Sequence, residues 1–415
     1  MMQSEVLINM KDVSVDYEVQ GSGGILRKTY FRAVSDFDIE IRRGEAWAIV
    51  GESGSGKSTL AMAVMGLINV SKGSIMFNLT DKPISIASRK ERRNRQSVWK
   101  KSSIVFQDPF SSIDPKMLVG DVILEPYLGH KLGKKSDATG KIKELIPLVG
   151  LKQEHLDYYP DQLSGGLRQR VAIARSLIND PDFIIFDEPT SSLDVSVQAQ
   201  ILNLIIDIRK GKDLTYLFIT HNLLVARHIS EKILVMYLGN IMEKGLTEEV
   251  FENPLHPYTK LLVSSIPLPE PGYKLEKPQI NKVASVSDAG APSGCVFHNR
   301  CPVATGYCGW TPPEVIEIMT NDLYKKTGSR ELSCDFKTEN SFSIINTDEH
   351  TSQAINEIIS ENVKLFKRVN YDENSTTIEL YESWLPHNIK VSENREVRCV
   401  LYDKDFSEYK KIIKK

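Results

Sequence analysis

A glycine-rich stretch near the N-terminus has the residue types and the spacing of a phosphate-binding loop. The run GESGSGKST fits the pattern G-x-x-x-x-G-K-[ST] at Gly51, Lys57 and Ser58. It follows the apolar run EAWAIV and precedes STLAMAVMGLI, so a strand and a helix are predicted on either side. We expect backbone N–H groups to bind phosphate, the lysine to contact the terminal phosphates and the serine to bind Mg²⁺. The predicted ATP-binding residues are Gly51, Glu52, Ser53, Gly54, Ser55, Gly56, Lys57, Ser58 and Thr59.

Two carboxylates follow a second apolar run, FIIF, within the stretch DFIIFDEPTSSLD. The continuous run from Phe183 to Phe186 is typical of a parallel strand that is buried on both faces. Asp187 and Glu188 stand at its carboxyl end, where open α/β sheets bind their ligands. Asp187 suits the Mg²⁺ shell, and Glu188 suits a general base that orients water at the γ-phosphate. A third run, LTYLFITH, ends in His221, whose imidazole is expected to contact the same phosphate.

A second glycine-rich helix start, LSGGLRQR, lies more than a hundred residues beyond the first loop. Ser164 and two glycines precede apolar residues at helical spacing, which predicts a helix N-terminus with free backbone N–H groups. Such a terminus binds anions. The chain therefore has a second candidate anion-binding helix start besides its phosphate-binding loop, and the residues alone do not say which nucleotide it serves.

These motifs, together with Gln107 in IVFQDPFSSIDP, resemble the motif set of ABC-transporter ATPase subunits, in that family's order. The resemblance covers residues 5 to about 335. It implies that the signature helix completes the ATP site of a second subunit. The residues expected to act across that interface are Ser164, Gly165, Gly166 and Asp194. Leu167 stands where the family usually has glutamine, and this departure favours a heterodimer.

The resemblance also assigns roles within the chain's own site. Lys57, Glu188 and His221 are implied as catalytic residues, and Gln107 as an ATP contact. The implied Mg²⁺ ligands are Ser58, Gln107 and Asp187. An aromatic residue is expected to stack on adenine; Tyr17 is our choice, and Tyr30 and Phe31 compete with it.

Further stretches narrow the subfamily and its partners. QDPFSSIDP, FENPLHPYTKLLVSSIP and the later cysteines look like oligopeptide/dipeptide importer ATPases, which implies uptake of peptides. Oligosaccharide or nickel import by the same machine is the alternative. The implied partners are a second ATPase subunit, two transmembrane permease subunits and an extracytoplasmic substrate-binding protein. A soluble ABC ATPase acting on nucleic acid or ribosomes is disfavoured by the single motif set and the net charge of −2, and no nucleic acid is expected.

Four cysteines cluster in the C-terminal third, at positions Cys295, Cys301, Cys308 and Cys334. Their spacing fits neither a C-x-x-C zinc pair nor a ferredoxin run, which leaves free thiols or a metal open. The family resemblance adds a structural [4Fe–4S] cluster as the expected group. Cys399 stands apart from this cluster.

The elements that must position these residues indicate an α/β fold. The 415 residues, 41% hydrophobic, are enough for a large core. We expect a P-loop NTPase core of ABC type, a mostly parallel sheet flanked by helices, with a helical subdomain, a small cysteine-containing C-terminal extension and an extra small α+β module. The predicted domains are residues 1–245, with the helical subdomain at about 108–180, residues 246–338 and residues 339–415.

The expected location is the cytoplasmic face of the cell membrane, as a peripheral subunit. The N-terminus lacks the basic and apolar regions of a secretory signal. The longest apolar-leaning stretch, TLAMAVMGLINV, is shorter than the roughly 20 residues that cross a bilayer. Residues from Lys337 to Ser352 are polar and predict a linker before the last module.

Overall fold

The computed structural model describes residues 5–20, 28–80, 82–88, 91–108, 112–266, 294–345 and 349–404. The chain divides into two compact units, Met1–Asn253 and Pro254–Lys415. Residues 267–293 of the predicted extension, and residues 346–348 and 405–415 of the predicted last module, lie outside the described residues. No helix of the described ranges is long and apolar enough to cross a membrane.

The first unit contains two sheets and eight helices in its described residues. Its strands are β1 (Val6–Gln20), β2 (Lys28–Arg42), β3 (Ala46–Val50), β4 (Lys72–Phe77), β5 (Ile84–Ser85), β6 (Ser102–Val105), β7 (Phe183–Asp187), β8 (Thr215–Thr220), β9 (Lys232–Tyr237) and β10 (Asn240–Leu246). Its helices are α1 (Lys57–Val64), α2 (Arg92–Trp99), α3 (Val119–Gly129), α4 (Lys135–Leu148), α5 (Gly165–Leu177), α6 (Val195–Lys212), α7 (Leu223–Ile229) and α8 (Thr247–Glu252).

The central sheet of this unit has the strand order β10-β9-β3-β8-β7-β6. All neighbours from β9 to β6 are parallel, and β10 pairs with β9 antiparallel. A second, antiparallel sheet has the order β2-β1-β4-β5. The α/β class and the mostly parallel core are therefore confirmed.

Strand β7 lies between two hydrophobic cores, and its successive side chains enter one core and the other alternately. Ile184 and Phe186 of β7 pack in a core with α3 to α7, whereas Phe183 and Ile185 pack in a core with α1, β1 and β2. Because both faces of the strand are covered, its sequence is a continuous apolar run rather than an alternating one. The packing on both faces fixes the carboxyl end of β7, and Asp187 and Glu188 lie at this end.

The first unit extends past the predicted boundary at residue 245, to Asn253. Helix α8 belongs to this unit, because the Thr247 backbone N–H donates to the Glu231 carbonyl oxygen at 2.9 Å. Helices α3, α4 and α5 lie between β6 and β7, within the range predicted for the helical subdomain.

The second unit contains α9 (Pro257–Ser264), α10 (Pro312–Thr327), β11 (Cys334–Thr338), β12 (Ser341–Ile345), α11 (Glu349–Glu361), β13 (Phe366–Tyr371), β14 (Ser375–Leu380), β15 (Ile389–Ser392) and β16 (Arg395–Val397). Strands β11 to β14 form an antiparallel sheet in the order β11-β12-β14-β13.

The structure differs from the predicted boundary at 338/339 and from the predicted linker. Strand β12 lies within the predicted linker, and β11 pairs with it across the boundary. Phe342 and Ile344 of β12 are fully buried, and Ser343 shares a hydrogen bond with the Thr377 hydroxyl at 2.8 Å. The stretch SFSII is short and flanked by polar residues, so the sequence did not indicate a strand there.

Candidate functional site

The phosphate-binding loop runs from the end of β3 into α1, as the flanking runs predict. Gly54 and Gly56 have φ angles of 78° and 94°, a region that residues with a Cβ rarely adopt. A Cβ at Gly51 would lie 2.1 Å from the Met236 carbonyl oxygen, and one at Gly56 would lie 2.3 Å from the Ala33 carbonyl oxygen. The backbone is therefore held close to its neighbours, with its N–H groups at the N-terminus of α1.

The Lys57 amine is enclosed by its own loop. Its Nζ donates to the carbonyl oxygens of Gly51 at 2.9 Å and Glu52 at 2.8 Å. Burial lowers the pKa of this amine, and the carboxylates of Glu188 and Asp187 oppose the shift. The charges of both carboxylates that the sequence singled out therefore act on this amine.

Ser58 and Asp187 meet across the gap between α1 and β7. The Ser58 hydroxyl donates to Asp187 Oδ1 at 3.1 Å. Burial raises the pKa of the Asp187 carboxyl above its ordinary value, although the Ser58 hydroxyl opposes the shift. A hydroxyl and a carboxylate are oxygen ligands of the kind that Mg²⁺ prefers, so both residues fit an Mg²⁺ site.

Two predicted residues, Gln107 and His221, converge on one oxygen of Glu188. His221 Nδ1 lies 3.0 Å from Glu188 Oε2, and the Gln107 amide donates to the same oxygen at 3.4 Å. Glu188 has a φ of 46° and its N–H donates to the Ile219 carbonyl oxygen at 3.0 Å. The carboxylate is therefore fixed by its backbone as well as by its side-chain partners.

The predicted signature residues lie at exposed helix N-termini. Ser164 caps α5, where its Oγ accepts the Leu167 N–H at 3.4 Å. Asp194 caps α6, where its carboxylate accepts the Val197 N–H at 2.9 Å, and this bond lowers the pKa of Asp194. Gly166 lies against α6, since a Cβ there would stand 2.5 Å from Val197 Cγ1. The two caps are thus packed side by side.

A groove of about 440 Å³ lies within the first unit, beside Gln107. It is bounded by the end of α1, by β6 and by helices α3 and α5. Leu67 and Phe106 expose apolar surface there, and Arg175 forms an ion pair with Glu125 at 2.7 Å. The segment that carries Gln107 therefore forms one wall of the groove.

The predicted four-cysteine set is not brought together. Cys295, Cys301 and Cys308 line a cavity of about 20 Å³ in the second unit, and the fourth thiol of its lining is Cys399. Cys334, which begins β11, is not part of this lining. In the described ranges no group of three or more His, Cys, Asp or Glu side chains is placed to hold a metal ion.

The thiols of this cavity are those of a packed interior. Burial raises the pKa of Cys295 and of Cys301 to about 12. A [4Fe–4S] cluster needs four thiolates in one place, and the predicted set does not fit it, because Cys334 is not part of the lining that holds the other three thiols. The sequence missed Cys399 because it lies far along the chain, and only the fold brings it to the cavity.

Comparison with known proteins shows two family matches. Residues 34–191 match the ABC transporter family, and residues 242–308 match the family described as oligopeptide/dipeptide transporter, C-terminal region.

The similar relatives include transport and import proteins. The chain is 41% identical over 315 residues to the oligopeptide transport ATP-binding protein AppF of Bacillus subtilis, covering 75% of this chain and 94% of that one. It is 46% identical over 244 residues to OppF of the same organism, covering 59% and 79%. It is 40% identical over 292 residues to a putative peptide import ATP-binding protein of Brucella ovis, covering 70% and 90%.

Two solved structures share the fold of the first part of the chain. One is a dimeric, post-hydrolysis state of the ATP-binding cassette MJ0796 bound to ADP and Pi, with a TM-score of 0.51 and 25% identity. It covers 58% of this chain and 99% of that one. The other is cbiO1 from Clostridium perfringens, part of an ABC transporter complex, with a TM-score of 0.50, 27% identity and coverage of 60% and 92%.

Proposed function

Because this chain belongs to the ABC-transporter ATPases of the oligopeptide/dipeptide transporter family, we propose that it couples ATP hydrolysis to the import of di- and oligopeptides through a membrane permease. The observation that carries the proposal is the arrangement around Glu188. Its carboxylate faces Lys57 and accepts from Gln107, and it lies beside the Ser58–Asp187 pair.

The reaction is hydrolysis of ATP to ADP and phosphate. Water attacks the γ-phosphorus and the bond to the β-phosphate oxygen breaks, while Glu188 orients the water and accepts its proton. Lys57 leaves its own carbonyl partners for the phosphate oxygens, and His221 donates to the γ-phosphate. Ser58 and Asp187, with Gln107 nearby, would hold Mg²⁺, which would supply positive charge beside the terminal phosphates.

The second half of the ATP site comes from another ATPase subunit in this proposal. Ser164, Gly165 and Gly166 at the N-terminus of α5, with Asp194 at that of α6, bind the nucleotide held by the partner. Exposed N–H groups at a helix N-terminus suit a γ-phosphate. Support comes from the solved cassette that is dimeric with ADP and Pi. Leu167 in place of the usual glutamine favours a heterodimer.

The groove beside Gln107 is proposed as the surface that receives the permease. Its apolar side chains suit a short helix, and the wall formed by the Gln107 segment links the groove to the ATP site. This partner places the subunit at the cytoplasmic face of the membrane. In the proposal the permease has two subunits, and an extracytoplasmic binding protein is a further partner.

The substitution Glu188→Gln tests the catalytic assignment. In the purified complex we expect ATP turnover to fall by about a hundredfold or more, because the amide cannot accept a proton. ATP binding should persist and the ATP-bound pair of subunits should accumulate, as seen by size-exclusion chromatography. Glu154→Gln, an exposed glutamate, is the control and should leave turnover unchanged. Near-normal turnover of Glu188→Gln would show that the base is misassigned.

The cargo is tested on the detergent-purified complex with its binding protein. ATP hydrolysis is measured with di- to octapeptides, oligosaccharides and Ni²⁺. Stimulation by peptides alone supports peptide import. Stimulation by oligosaccharides or by Ni²⁺ would keep the mechanism and overturn the substrate. Absence of a co-purifying permease would contradict the transport function itself.

A further inference from the structure

The His221 imidazole lies beside the catalytic carboxylate in a position that packing alone does not fix. Its Nδ1 lies 3.0 Å from Glu188 Oε2, but the His221 side chain is 60% exposed. An exposed ring has few neighbouring atoms to hold it, so its direction depends on the backbone that carries it. The backbone of His221 therefore decides whether the ring stays beside Glu188.

His221 lies in a two-residue connection between β8 and α7. Strand β8 is buried along its whole length and pairs in parallel with β3 and with β7. Helix α7 is fixed on the other side of the connection, because Val225 and Ile229 are buried in the core that α7 shares with α5 and α6. Both flanking elements are thus held by packing, and only the connection formed by His221 and Asn222 needs further support.

Asn222 makes three hydrogen bonds within this connection. Its backbone N–H donates to the Thr220 hydroxyl at 3.0 Å. Its side-chain Oδ1 accepts the backbone N–H groups of Leu224 at 2.9 Å and of Val225 at 3.3 Å. The side chain therefore caps α7, whose first N–H groups have no partner within the helix. One residue thus connects the end of β8 to the start of α7, and His221 lies between the two connected points.

The backbone of Glu188 is held by the same strand. Its N–H donates to the Ile219 carbonyl oxygen at 3.0 Å, two residues before His221. The general base and the histidine therefore share β8 as their support. The separation of their side chains depends on the short backbone path from Ile219 to His221, and the hydrogen bonds of Asn222 fix the far end of that path.

We propose that Asn222 is a positioning residue of the ATPase reaction and that it acts through His221. By capping α7 it keeps the His221 imidazole beside Glu188 and within reach of the γ-phosphate. Asn222 has no need to contact the nucleotide, since its Oδ1 already accepts two N–H groups. The inference rests on the proposed ATPase function, and it adds a residue to which the sequence alone assigned no role.

The test combines ATP hydrolysis by the purified complex with calorimetric binding of Mg²⁺-ATP to the full chain. Asn222→Ala removes the capping oxygen, and kcat should fall about tenfold, because the imidazole is displaced from the reacting groups. The dissociation constant for ATP should stay unchanged, since the phosphate-binding loop is untouched. Asn222→Ser restores a short capping oxygen without adding a charge, and it should return kcat to within about twofold of the wild-type value.

A double-mutant cycle with His221 shows whether the effect passes through the imidazole. His221→Ala alone should lower kcat about a hundredfold. In the His221→Ala background, Asn222→Ala should lower kcat no further, because the group that Asn222 positions is already absent. A second tenfold loss in that background would overturn the inference, since Asn222 would then act by another route.

Removal of a helix-start acceptor away from the site is the matched control. The Asp137 carboxylate accepts the Lys134 N–H at 2.8 Å at the start of α4. Asp137→Ala should therefore lower the melting temperature about as much as Asn222→Ala does, but it should leave kcat unchanged. An equal fall of kcat in Asp137→Ala, or wild-type kcat in Asn222→Ala, would overturn the positioning role. A wild-type complex that hydrolyses no ATP would contradict the ATPase function itself, on which this role depends.

Discussion

Gly54 and Gly56 carry similar backbone conformations in the phosphate-binding loop but have different surroundings. Both have φ angles in the left-handed region. A Cβ on Gly54 would meet no atom within 4 Å, whereas a Cβ on Gly56 would lie 2.3 Å from the Ala33 carbonyl oxygen. A comparison of substitutions at the two glycines therefore distinguishes the effect of backbone strain from the effect of steric contact in the same loop.

Substituting these glycines should have graded effects. Gly54→Ala adds backbone strain of about 1–2 kcal/mol and should weaken ATP binding modestly. Gly56→Ala adds the same strain and displaces the loop from β2, so ATP binding should be lost. Calorimetry with Mg²⁺-ATP measures both. Equal affinities of the two variants would show that the contact with Ala33 does not shape the loop.

Glu314 gives the second unit an acid-sensitive carboxylate. Burial alone would raise the pKa of Glu314, but His298 at 3.3 Å and the Thr311 N–H and hydroxyl lower it to about 2. A lowered pKa stabilises the fold above the unfolded value of about 4.5. This stabilisation is lost as the pH falls from there through 2.

We therefore expect a loss of about 3 kcal/mol of unfolding free energy between pH 4.5 and 2 from this residue. Chemical denaturation of the full chain at stepped pH measures it. Glu314→Gln removes the titrating group and should flatten the curve in this range. Glu317→Gln, on the same helix, is the control. An identical acid dependence in Glu314→Gln would contradict the assignment.

At the residue scale, much of the site followed from residue types and spacing. Lys57, Ser58, Asp187, Glu188 and His221 were predicted because each follows a strand or precedes a helix at one sheet edge. Parallel strands bring their carboxyl ends to the same edge, so their contacts were implied. The left-handed φ of Glu188 and the oxygen that it shares with Gln107 and His221 depend on tertiary contacts, which the spacing does not encode.

At the element scale, the groove beside Gln107 lies between the sheet core, with α1 and β6, and the helices α3 and α5. Arg175 of α5 donates to the Ser112 carbonyl oxygen at 2.9 Å and to Glu125 of α3 at 2.7 Å. It thereby connects the segment after Gln107 to two helices. A ligand seated in the groove would act on this connection.

Leu67→Asp should detach the permease. Leu67 is 45% exposed in the groove, and a carboxylate there would have to be desolvated against an apolar partner. Co-purification with the permease should fall at least tenfold, with ATP binding unchanged. Leu148→Asp is the matched control, since Leu148 is 39% exposed on α4 and does not line the groove. Equal co-purification of both variants would exclude the groove as the docking surface.

Some strands could be predicted from the sequence, whereas others could not. β7 is a continuous apolar run, so its sequence indicated a strand buried on both faces. β12 was missed, because its three apolar residues form only a short run between polar neighbours and the partner strand β14 is distant in sequence. The register of β1 and β2 was also beyond the sequence, since Ala33 is an extra residue between the Val15–Val34 and Asp16–Arg32 pairs.

At the scale of the whole molecule, the last part of the chain is integral to the second unit. Tyr381 packs against Tyr307 with ring centroids 4.2 Å apart and the rings tilted by 43°, and the Trp384 backbone N–H donates to the Tyr307 carbonyl oxygen at 2.9 Å. Lys326 of α10 pairs with Glu357 and Glu361 of α11. These contacts span the boundary that the sequence predicted at 338/339.

Truncation after Asn340 should therefore unfold part of the second unit rather than remove a separate module. It deletes β12 and leaves β11 without its partner. We expect a lower melting temperature and fast reaction of Cys295 and Cys301 with a thiol reagent at pH 8, where the intact chain reacts slowly. Truncation after Lys404 is the control and should behave as the full chain. Unchanged melting and unchanged thiol reactivity after Asn340 would contradict this view.

Cys399 lines the same cavity as three other thiols, and these three are synthesised much earlier. Translation adds roughly 5–20 residues per second, so Cys295, Cys301 and Cys308 wait for several seconds before Cys399 leaves the ribosome. During that interval the three thiols lack their final cover and are open to oxidants. The order of synthesis thus makes the nascent protein more sensitive to oxidation than the finished one.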